Sequence, residues 1–82
     1  MYRKLTDEHK LILYIIAGYN ERKEQVVIRD IAKELSMRVS HVNDLINDLV
    51  DNALIKVVPV YDEKRKYRGN DFRILNKRRR EV

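Results

Sequence analysis

At 82 residues, the chain has room for one domain, which buries only about 60% of the surface its unfolded form exposes. It contains no cysteine, which excludes a disulfide scaffold and a thiolate metal site. Its 44% hydrophobic and 38% charged residues exclude a disordered chain, and a formal net charge of +5 points toward a polyanionic partner.

The first helix is expected to begin at Thr6, a good N-cap, with Asp7 and Glu8 at the positive end of the helix dipole. It runs over residues 10–17, and Gly18 reads as its stop. Residues 11–19 are an unbroken apolar run apart from Gly18, about half the length of a membrane span. No membrane segment or signal peptide is expected, and a cytoplasmic location follows from that. The helix is apolar nearly all round, where a surface helix shows one stripe. A domain this small does not easily surround it, so a homodimer is expected, with Leu13, Tyr14, Ile16 and Ala17 at the interface.

Residues 20–25 are polar and read as a loop. Val26, Val27 and Ile28 are β-branched and read as a brief strand. A second helix is expected over residues 29–35, with Ile31, Ala32 and Leu35 at helical spacing. A break at Ser36, Met37 and Arg38 precedes a third helix, from Val39 or Ser40 to about Asn52. Val42, Leu45, Ile46 and Leu49 form its apolar face, and Ser40, Asn43, Asp44, Asn47, Asp48 and Asp51 stand opposite.

Past Ala53 the apolar period falls from 3.6 to about 2. Residues 54–61 read as a strand whose Pro59 marks an edge or bulge, and Phe72 and Ile74 mark a returning strand. The connection, residues 62–70, contains the Gly69-Asn70 turn signal. Residues 76–82, with Lys77, Arg78, Arg79 and Arg80, are expected to be a basic flexible tail beyond a single domain over residues 1–75.

Charge is unevenly distributed along this order. Residues 1–35 carry a net +1, residues 36–55 a net −2, and residues 56–82 a net +6. The positive charge therefore lies in the hairpin and tail. The two histidines stand in different helices and read as exposed helix residues, and no acidic cluster joins them, so no metal site is expected. No nucleophile and base share a motif, so neither an enzyme nor a cofactor nor a small-molecule ligand is expected.

Two short helices joined by a three- or four-residue turn, with a hairpin appended, make the chain resemble the winged helix-turn-helix family, particularly small MarR-like and ArsR-like transcription regulators. The stretch that carries the likeness is IAKELSMRVSHVNDLINDLVDNALI, residues 31–55. Ile31, Ala32 and Leu35 match the family's positioning helix, and Val42, Leu45, Ile46 and Leu49 match the buried face of its recognition helix. Residues 52–55 stand where the family shows Gly-Leu-Ile or Gly-Leu-Val before the wing. The resemblance implies an α+β, mainly α, fold of three helices plus a small β-hairpin wing. It further implies sequence-selective binding of double-stranded DNA as a homodimeric transcription regulator.

By the same resemblance, Arg38, Ser40, His41, Asn43, Asp44 and Asn47 would face the major groove, where amides, hydroxyls and guanidinium groups match base edges. Lys64, Arg65, Lys66, Tyr67 and Arg68 would form the wing tip on the backbone or in the minor groove. One feature departs from the family: residues 39–52 carry no Lys or Arg but do carry Asp44, Asp48 and Asp51. Carboxylates facing phosphate repel it, unless Asp48 and Asp51 point away from the groove or pair with basic residues of the same chain. The alternative is a winged-helix protein-interaction module whose acidic third helix docks a basic partner.

Overall fold

The computed structural model of the chain describes residues 5–75. Three helices, α1 (Asp7–Glu21), α2 (Ile28–Leu35) and α3 (Val39–Asp51), are followed by β1 (Ile55–Tyr61) and β2 (Tyr67–Ile74). The strands pair antiparallel as a two-stranded sheet. This is the α+β, winged-helix-like layout expected from the sequence, with α2 and α3 separated by residues 36–38. The basic tail expected at residues 76–82 lies outside the described residues.

One core joins the elements. Ile12 and Ile16 of α1, Ile31 and Ala32 of α2, Val42, Leu45, Ile46 and Leu49 of α3, and Ile55 and Phe72 of the hairpin are all buried. Burying each large side chain contributes about 1.5–3 kcal/mol. Both α3 and β2 pack against α1, which covers more of that helix than one stripe. Leu13 and Ile15 are half-buried on the core, and Ile16 has no exposed surface. The expected dimer face therefore loses Ile16 and most of Leu13, and what stays open on α1 is Leu11, Tyr14 and Ala17.

α2 and α3 end within a residue of the expected stops, and α1 does not. α1 continues through Gly18 to Glu21. Glu24 N–H then bonds Tyr19 O at 2.9 Å and Lys23 N–H bonds Asn20 O at 3.1 Å, with Lys23 left-handed at φ 60°. α2 ends in the same way, Met37 N–H to Ala32 O and Ser36 N–H to Lys33 O, with Ser36 at φ 56°. α3 repeats it, Leu54 N–H to Leu49 O and Ala53 N–H to Val50 O, with Ala53 at φ 59°. These are Schellman ends, which favour glycine, and all three carry another residue. The left-handed region costs an L-residue with a Cβ about 1–2 kcal/mol. Ala53→Gly is therefore expected to stabilise the fold by about 1 kcal/mol, read as a raised urea midpoint at unchanged slope.

Residues 26–28 do not form a strand. Val26 is buried, Val27 is the N-cap of α2, and Ile28 opens that helix. Polar side chains bond the open edge of β2 where a third strand would pair. The Asn20 amide donates to Phe72 O and accepts from Ile74 N–H, both at 2.9 Å. Gln25 Nε2 reaches Asn70 O at 3.2 Å.

The Gly69-Asn70 pair is not the hairpin turn. Pro59 pairs with Asn70 and Tyr61 with Tyr67, so Val60 faces both Arg68 and Gly69 in a β-bulge. Gly69 takes the positive φ there (+93°), as bulges require. The turn lies earlier, at residues 62–66.

Candidate nucleic-acid interface

On α3, a rotation of about 100° per residue gathers Ser40, Asn43, Asp44, Asn47 and Asp51 on one side, and all five are exposed. Arg38, the N-cap of α3, is exposed at the head of this row. His41 does not join it. Its Nε2 lies 3.0 Å from Glu8 Oε1 on α1, which turns the ring toward the flank.

Asp48 is turned away as well, because its Oδ2 accepts from His9 Nε2 at 2.9 Å. His9, read from the sequence as an exposed helix residue, is instead buried at 5% exposure. Thr6 N–H donates to His9 Nδ1 at 3.0 Å while His9 N–H donates to Thr6 Oγ1 at 3.3 Å. That is a capping box with histidine in the place of the usual Glu or Gln. Nδ1 is the acceptor, so Nε2 carries the proton shared with Asp48. Of the three acidic groups on α3, Asp44 and Asp51 remain on the outer row.

The hairpin tip is organised by Asp62. Asp62 N–H bonds Lys66 O at 3.0 Å and Arg65 N–H bonds Asp62 O at 2.9 Å. The Asp62 Oδ1 accepts the N–H groups of Lys64 at 2.8 Å and Lys66 at 2.9 Å. Arg68 meets Oδ2 at 3.1 Å. Donation by Lys66 N–H above all, helped by Lys64 N–H and the Arg68 guanidinium and opposed by partial desolvation, holds the Asp62 carboxyl below its ordinary value of 3.8. This is a three-residue loop in which a left-handed residue follows a turn, a position glycine usually fills. Here Arg65 fills it, at φ 65°.

The five expected wing residues thus divide. Lys64, Arg65 and Lys66 project from the tip, all exposed and without an ion pair among the described residues. Arg68 is held by Asp62, and the Tyr67 hydroxyl donates to Asn70 at 2.8 Å. The Tyr67 ring meets Tyr61 edge-on, with centroids 5.9 Å apart, which braces the base of the loop.

Between the hairpin and the helices runs a groove of about 360 Å³, lined by Gln25, Val27, Arg29, Val39, Tyr67 and Arg68 among others. The N-terminal turns of α2 and α3 border it, and neither has a side-chain cap. Sequence reasoning missed Arg29 and Gln25 here, because only the approach of β2 to α2 makes them neighbours. Asp62 carried a readable signal: an Asp at the end of a strand, before a polar loop, bonds backbone N–H groups two residues on.

Among the described residues, no helix is long and apolar enough to cross a membrane, and no three His, Asp or Glu side chains gather to hold a metal ion. No protein-family model, curated protein or solved structure matches the chain.

Proposed function

We propose that the chain binds double-stranded DNA and acts as a transcription regulator. The outer row of α3 reads base edges in the major groove, and the hairpin loop contacts the backbone or minor groove. The observation that carries this reading is the loop tip. Three consecutive cations project from a loop whose geometry is set by one carboxylate, and the middle one, Arg65, occupies a strained position at φ 65°. Glycine there would be less strained, so a long cation at that position favours a role for its charge. A helix also fits the major groove, where Asn43 and Asn47 suit adenine and Arg38 suits guanine.

Titration of the chain with duplexes at several salt concentrations tests the reading. The expected result is binding whose log–log salt slope shrinks by roughly 0.9 for each phosphate that Lys64→Ala or Lys66→Ala leaves without its cation. Arg65→Gly keeps the loop conformation while weakening binding. Asn43→Ala and Asn47→Ala leave the slope unchanged and relax sequence preference by about 1–3 kcal/mol for each base pairing removed. Absence of duplex binding at low salt overturns the proposal. The exposed Asp44 and Asp51 favour a second reading, docking of a basic protein partner on α3, and a partner that holds α3 while duplex DNA does not would establish it.

A further inference from the structure

We infer that the outer row of α3 is a docking surface for the chain's own basic segment, residues 77–80, which lies along the helix and covers Asp51, Asn47 and Asp44. At about 100° per residue, Asp44 and Asp51 fall within about 20° of each other. They stand nearly opposite the buried Val42, Leu45, Ile46 and Leu49. Both carboxylates are exposed, and neither has an ion pair among the described residues. The last turn of α3 carries no basic residue, although the negative end of a helix dipole favours cations. With no Lys or Arg over residues 39–52, the charge of this face is left to be met from elsewhere in the chain.

Topology brings the complement to the same place. Leu54 N–H bonds Leu49 O at 3.0 Å, near the end of α3, and Leu75 N–H bonds Leu54 O at 2.9 Å. The chain therefore passes Leu75 beside the C-terminal end of α3. Asn76 is followed by four consecutive cations, Lys77, Arg78, Arg79 and Arg80. Five extended residues, 76–80, reach at most about 17 Å, and Asp51 and Asp44 are about 10.5 Å apart along the helix axis. The run is thus long enough to meet both carboxylates. Lys56, which faces Arg73 across the strands near Leu75, is exposed and disfavours the hairpin as an alternative resting place. Exposed ion pairs are individually weak, but attachment at Leu75 makes the contact intramolecular, which offsets that weakness.

The contact does not rest on nucleic-acid binding and is measured without DNA, so either proposal can fail alone. Where both hold, the segment withholds the row from a duplex until phosphates compete for its cations.

Paramagnetic relaxation in the full chain tests it. The chain has no cysteine, so Val82→Cys carries a single nitroxide. At low salt, amide signals on the outer row of α3 are expected to weaken relative to the reduced label. That weakening is lost at about 1 M salt, where the Debye length is about 3 Å. It is lost as well in Asp44→Lys with Asp51→Lys, and in Arg78→Glu with Arg79→Glu and Arg80→Glu. Combining the two sets of reversals restores it. Circular dichroism should stay that of the wild type, because both Asp positions are exposed, and the arginine set leaves the core untouched. The proposal is overturned if the row is not weakened in the labelled chain, if either set of reversals leaves the weakening intact, or if the combined variant fails to restore it. Weakening that passes from labelled to unlabelled copies in a mixture also overturns it, because the segment then docks on a second molecule.

Discussion

Asp71→Ala is expected to destabilise the fold by about 3 kcal/mol, measured by urea denaturation followed by circular dichroism. Asp71 is 8% exposed. Its Oδ1 accepts two N–H groups, that of Val26 at 2.8 Å and that of Phe72 at 2.9 Å, and Arg73 Nε approaches Oδ2 at 3.4 Å. The Val26 bond spans 45 residues and ties the segment between α1 and α2 to the hairpin. Truncation leaves the N–H of buried Val26 without that acceptor, and a buried donor left unmade costs about 1–3 kcal/mol beyond the charge-assisted bond itself. Asn at this position keeps one oxygen in place, so Asp71→Asn is expected to cost only about 1 kcal/mol. Equal losses in the two variants would show that the oxygen does not hold the hairpin.

His9→Ala is expected to cost about 2 kcal/mol, from the capping box and from the link to Asp48 together. The ring reaches Thr6 through Nδ1 and Asp48, 39 residues away, through Nε2. It therefore starts α1 and pins α3 at the same time. A Gln side chain offers an oxygen for Thr6 N–H and an N–H for Asp48, so His9→Gln should recover much of the loss. If Gln behaves like Ala, the ring acts through packing and not through its two nitrogens. Asp48, for which the sequence left open either a place facing phosphate or a partner within the chain, is part of this link. Its removal should register in stability before it registers in any DNA titration.

Periodicity made most of the fold legible. Ile31, Ala32 and Leu35, then Val42, Leu45, Ile46 and Leu49, recur at helical spacing, and all but the half-buried Leu35 are buried. The change to an alternating pattern after Ala53 marked the hairpin. These features are local, because a helix or strand turns its apolar residues to one side whatever that side later meets. The exposed rows were legible for the same reason: Ser40, Asn43, Asp44 and Asn47 lie opposite the buried face, and Lys64, Arg65 and Lys66 sit in a turn between two strands.

What tertiary structure decided depended on residues far apart in the chain. Gly18 stays inside α1, and Lys23, Ser36 and Ala53 take the left-handed helix ends, because packing of the helices and the hairpin outweighs a local preference of about 1 kcal/mol. Residues 26–28 have strand composition, yet the Asn20 and Gln25 amides bond the open edge of β2 that a strand would need. The apolar girdle of α1 read as a dimer face, but α3 and β2 together cover Ile16 and most of Leu13, which leaves only Leu11, Tyr14 and Ala17 outside. His9 and Asp48 looked like separate surface residues in the sequence. They are one part-buried link because α1 and α3 pack together there, and composition and spacing hold no record of a contact between residues 39 apart.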